Sequence, residues 1–105
     1  MSPEPDYSLG TLTHEHCAPL IGETFSLRTP DGGTLELKLA EVKPHAGARP
    51  GRRAPFSLLF RPADPQLLLP QQIYPLHHPR LGTLDIFLVQ IRPDSVGPRI
   101  EAVFT

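Results

Sequence analysis

Leu35, Leu37 and Leu39 alternate with Glu36, Lys38 and Ala40, and Phe25 and Leu27 alternate in the same way just before them. A period of two buries one face of a sheet, so both runs read as strands. Between them, residues 29–34 include Pro30, Asp31, Gly32 and Gly33, and glycines can take the positive φ that a tight loop requires. A hairpin is predicted. Four later runs carry β-forming residues and are bounded by Pro, Gly or Asp: residues 56–61 (FSLLFR), 72–77, 84–91 (LDIFLVQI) and 100–104. With the hairpin they make six short strands.

The 14 prolines limit what else can form. Proline is excluded from helix interiors and central strands, and only residues 6–18, 20–29, 31–43 and 80–92 run ten residues or more without one. Pro75 lies inside the fourth run, which predicts an edge or bulged strand there. Residues 84–91 are apolar on both faces, Leu84, Ile86 and Leu88 against Phe87, Val89 and Ile91. That suits a central strand covered on both sides, or one buried in an assembly. Only the N-terminal piece suits a helix, a short turn with Leu9, Leu12 and His16 at spacings of three and four and Ser8 or Thr13 as cap. The predicted fold class is all-β, a small antiparallel barrel or sandwich of about six strands with at most one short N-terminal helix. Residues 1–105 form a single domain, with a tail over 1–8 and a Pro/Arg-rich loop over 44–55.

Composition narrows the class. A chain of 105 residues, 39% hydrophobic and 20% charged, is large enough for one core and too small for two. Cys17 is the lone cysteine, so no internal disulfide forms, and the opening MSPEPDYSLG lacks the basic and apolar regions of a secretory leader. Cytoplasmic residence is expected. No apolar run approaches the roughly 18 residues of a membrane-spanning helix, so no membrane is expected as a partner.

Charge is segregated along the chain. The first 42 residues hold seven acids and two bases, whereas residues 43–61 hold five bases and no acid. Three functions fit: a solvated loop, a phosphate-binding loop, or a self-complementary surface between copies. Arg49, Arg52 and Arg53 are the candidate binding loop.

The chemical motifs are incomplete. THEHC, residues 13–17, places His14 and His16 two apart, which on a strand could share a metal. On a helix the same two diverge, and a cupin-like site would also want a preceding strand, a nearby Glu and a second histidine segment. His77 and His78 are adjacent, so on a strand they face opposite sides, one packed and one exposed. Cys17 beside His16 has no orienting third group, and reads as a buried apolar residue. Ser57 lacks the glycine-flanked turn of a nucleophilic serine, and no glycine-rich phosphate motif occurs. No catalytic, cofactor or metal residue is assigned. A β-barrel with a basic loop near Phe56, Phe60 and Tyr74 could stack single-stranded nucleic acid, but the net charge of −1 and the core-like spacing of the phenylalanines speak against that partner. Arg53 is expected to pair with Asp85 or Glu101.

RRAPFSLLFRP (52–62), QQIYPLHHPRLGTLDIFLVQIRPD (71–94), the terminal EAVFT and the earlier APLIGETFSL (18–27) resemble, in this order, a bacterial family of about a hundred residues classed as a domain of unknown function. The resemblance implies a small all-β domain without assigned activity, associated with bacterial or prophage loci encoding tail-collar-like proteins. Cys17 stands where the family tends to have an aromatic residue, and Gln90 and Arg92 stand where it has Pro and Gly, so the end of the fifth strand departs from the pattern. The expected function is a non-enzymatic interaction or assembly module, homo-oligomeric or bound to a protein partner. The alternatives are a single-stranded nucleic-acid binder using the basic loop and a metal-dependent enzyme using the histidines.

Overall fold

The computed structural model describes residues 12–46 and 54–104. They form β1 (Thr24–Arg28), β2 (Thr34–Pro44), β3 (Phe56–Pro62), β4 (Gln72–His78), β5 (Gly82–Ile91) and β6 (Arg99–Phe104), preceded by α1 (His14–Cys17) and a 3-10 turn over Ala18–Leu20. The strands close into a barrel in the order β1-β2-β3-β6-β5-β4, and every neighbouring pair is antiparallel. Two three-stranded meanders, β1 to β3 and β4 to β6, are joined along both edges by the β3–β6 and β1–β4 ladders.

Local chemistry explains the turns. Gly32 takes φ 90° in the β1–β2 turn, where the Thr29 hydroxyl and the Gly33 N–H both donate to the Asp31 carboxylate. At the β4–β5 turn Gly82 takes φ 74°. Thr13 caps α1, with its hydroxyl accepting from the His16 N–H while His16 Nδ1 accepts the Thr13 N–H. This is a capping box in which histidine does the work usually done by Glu or Gln.

Inside the barrel lies one aliphatic and phenyl core. Leu27, Leu37, Leu39, Phe56, Phe60, Leu88, Ile100 and Ala102 are wholly buried, and Leu12, Cys17 and Leu20 from the helical segment join them. Phe25 meets Phe60 edge-on at 5.2 Å, and Phe56 stacks on Phe104 at 4.7 Å. Eight-stranded barrels are just wide enough to be filled by side chains, so six strands leave no room for a ligand. The Gln90 side chain, level with Ile100, accepts the Leu69 N–H at 2.6 Å and donates to the Leu67 carbonyl at 2.9 Å, which fastens the β3–β4 connection to the barrel.

Three expectations need correction. A closed barrel has no edge strand, and the β4–β5 register runs through Pro75 without a bulge. Pro75 is tolerated because the β1–β4 ladder ends one residue away, at Leu27 and Leu76, so no bond to β1 is lost. The bulge lies in β2, at the register shift between Leu39 and Glu41. It moves the inward phase from Leu37 and Leu39 to Val42, which lets the strand run on to Pro44, inside the stretch read as loop. Nor is β5 covered on both faces: Ile86 and Leu88 are buried, while Phe87 on the outer face is 48% exposed. The fifth strand nevertheless runs through Gln90 to Ile91.

Candidate functional site

The five histidines sit in separate environments. His14 and His16 are on α1, as the helical reading requires, and His14 lies edge-on to Phe56 at 6.3 Å. His77 is exposed, with Nδ1 2.9 Å from the Thr83 hydroxyl. His78 is buried and packs on Phe25 at 4.7 Å, which is the expected split of an adjacent pair on a strand. Its Nδ1 accepts the Arg80 N–H at 3.0 Å, so Nε2 carries the proton and donates to Glu23 at 2.7 Å. Both ring nitrogens are thereby occupied, and the tautomer is fixed. Among the described residues no group of three or more His, Cys, Asp or Glu side chains converges as a metal site would need.

One pair escaped sequence reasoning: His45 Nε2 lies 2.9 Å from Ser57 Oγ. The spacing is that of a serine and its base, but Ser57 is only 4% exposed, and among the described residues no carboxylate bonds to the other nitrogen of His45. Without access or an orienting group the pair ties the end of β2 to β3 rather than activating an alcohol. Cys17 is buried, and burial pushes its thiol pKa up to about 11. At pH 8 it should react with a thiol reagent on the order of a hundredfold more slowly than an unfolded control, since only the thiolate attacks. Stopped-flow labelling checks this. Because the folded pKa is raised, the protonated thiol's contribution to stability is intact below about pH 9 and falls away as pH rises towards 11.

Arg61 holds the strongest ion pair. Its two terminal nitrogens meet the two Asp94 oxygens at 2.8 and 2.7 Å, and Nη1 also donates to the Gly97 and Pro98 carbonyls. Asp94 accepts the Val96 and Gly97 N–H groups in turn. The Arg61 guanidinium holds the Asp94 carboxyl well below the usual carboxylate range, and the fork fastens the β5–β6 loop to β3. Arg49, Arg52 and Arg53 lie outside the described residues, as do the expected Arg53 pairing, the tail 1–8, the candidate cap Ser8 and Leu9 of the helical spacing. Phe56, Phe60 and Tyr74 point inward and are at most 2% exposed, so they offer bases no stacking surface.

The outer wall carries the remaining candidate. Ile73 pairs across to Phe87, and Val103 lies on β6 two residues beyond Glu101, where the pairing with β5 ends at Val89. Alternation sets Phe87 on the face of Val89 and Val103 on the face of Glu101, so all three side chains stand on the outer wall of β4, β5 and β6. Ile73, Phe87 and Val103 are 63%, 48% and 60% exposed. Lone exposed aliphatics are ordinary on a surface, whereas three on the outer faces of neighbouring strands group on one side of the wall. Such an arrangement can dock another surface and can do no covalent chemistry.

A family model for a domain of unknown function (DUF6916) matches residues 12–104. The chain belongs to this family. Its matched span takes in the helical segment and all six strands, so in this DUF6916 protein the family unit and the barrel coincide. No curated protein and no solved structure matches the chain. No helix among the described residues is long and apolar enough to cross a membrane.

Proposed function

We propose that this DUF6916 protein is a non-enzymatic interaction module that pairs with a second copy of itself through Ile73, Phe87 and Val103. The exposure of those three side chains on the outer faces of neighbouring strands carries the reading. A closed barrel offers no free strand edge to extend, so association falls to side chains on the wall. A net charge of −1 sets up little repulsion between copies. Phe87 is on the middle strand of the three, and a two-fold axis along β5 sets the β4 side of one copy, with Ile73, over the β6 side of the other, with Val103, the self-complementary geometry of an isologous dimer. On the family resemblance, we place this module in a bacterial or prophage assembly of the phage-tail kind, working in the cytoplasm.

Sedimentation velocity across micromolar to millimolar concentration tests the pairing. The wild-type chain should shift from monomer towards dimer, and Phe87→Glu should weaken the association at least tenfold with unchanged far-ultraviolet circular dichroism, because a charge is placed at the centre of the contact. A wild-type monomer throughout, or a variant that dimerises equally well, would contradict the proposal.

A further inference from the structure

The β1–β4 closure has only two rungs, Ser26 with His77 and Leu27 with Leu76. One residue further, Arg28 is paired with Thr34 on β2 and Pro75 with Asp85 on β5, and the two strands part. A concave space of about 490 Å³ opens at this seam, lined among others by Arg28, Ser26, Thr34, His77 and Thr83, with Pro75 contributing apolar surface. That volume lies within the roughly 300–1,000 Å³ of small-molecule sites.

Among the described residues that line the space, Arg28 is the one with a permanent charge and none is an acid. Arg61 is saturated by Asp94 and two carbonyls, and Arg99 Nε donates to the Arg92 carbonyl. Arg28, in contrast, has no ion pair with any described residue. Beside it stand three hydroxyls, from Ser26, Thr34 and Thr83, and an imidazole whose Nδ1 is held against Thr83 Oγ1, leaving Nε2 as its uncommitted nitrogen. A guanidinium with several hydroxyl donors matches a tetrahedral oxyanion with three free oxygens. Bare phosphate would fill only a fraction of the space, and Pro75 offers surface to an organic substituent. We propose that the β1–β4 seam binds a small phosphate monoester, its phosphate on Arg28 and the hydroxyls and its organic part against Pro75. Glu36 and Asp85 stand across from Ser26 and Pro75, so two nearby carboxylates oppose the Arg28 charge and the affinity is modest. The site borders the apolar residues, Pro75 standing two residues from Ile73 on β4, but none of Ile73, Phe87 and Val103 lines it.

The test is an NMR amide titration with glycerol 3-phosphate, with glycerol and sodium sulfate at matched ionic strength as controls. Shifts should centre on Ser26, Arg28, Thr34, His77 and Thr83, appear with the ester and be at least tenfold weaker with either control. Arg28→Ala should weaken binding about tenfold or more, Thr83→Ala less, and Arg80→Ala not at all. Spectra that keep their dispersion show that the variants fold. Equal response to sulfate, shifts spread over the whole basic surface, or binding unchanged in Arg28→Ala would overturn the proposal.

Discussion

Phe25→Ala is expected to destabilise the barrel by about 3–5 kcal/mol, measured as a fall in the denaturant midpoint. Phe25 is 2% exposed, meets Phe60 edge-on and packs on the His78 ring, so its removal leaves a void bordered by rigid aromatic groups that cannot collapse into it. A domain of this size is held by only about 5–15 kcal/mol in all, and the variant should sit near its unfolding threshold at body temperature. A loss below about 1 kcal/mol would mean that the interior is loosely filled, and with it the argument that the barrel has no room for a ligand would fail.

The second large effect is expected at His78. Its ring closes one side of the core and accepts the Arg80 N–H while donating to Glu23. His78→Ala removes the packing on Phe25 and leaves the Arg80 N–H without its acceptor, a combined cost of about 2–4 kcal/mol. Glu23→Gln should cost far less, because Glu23 is 42% exposed at its side chain and water can replace what it loses. Chemical denaturation of the two variants side by side checks the asymmetry. Equal losses would mean that the Nε2–Glu23 hydrogen bond, rather than ring packing, dominates at this position.

Features set by near neighbours in the chain were legible in the sequence. The β1–β2 hairpin follows from alternation and the glycines of its turn, the cap of α1 from Thr13, and the opposed fates of His77 and His78 from the two-residue period of a strand. Cys17 reads as buried because an unpaired thiol without an orienting partner behaves as a small apolar group. Features that depend on distant pairing were not legible. Arg61 meets Asp94 across 33 residues, and Gln90 clasps Leu67 and Leu69 across more than 20, and no local pattern signals either contact. The bulge after Leu39 has no glycine to announce it, so the sequence pattern places Pro44 in a loop, whereas it ends a strand. Barrel closure, which removes the edge predicted for Pro75, requires knowing that β1 meets β4.

The candidate docking face falls between these cases. The apolar residues on both sides of 84–91 were visible as a pattern, and burial in an assembly was one of its two readings. Only the strand pairing, however, shows that Ile73 opposes Phe87 and that β6, which carries Val103, lies on the other side of β5. The face that was read as covered is open in the single chain, and its exposure is what motivates a second copy as partner.

The most direct measurement is an isotope-filtered nuclear Overhauser experiment on a millimolar mixture of labelled and unlabelled chains. Contacts between the Phe87 ring of one copy and the methyl groups of Ile73 and Val103 of another are predicted. Their absence in a sample that sedimentation shows to be dimeric, or intermolecular contacts confined to other parts of the surface, would contradict the account.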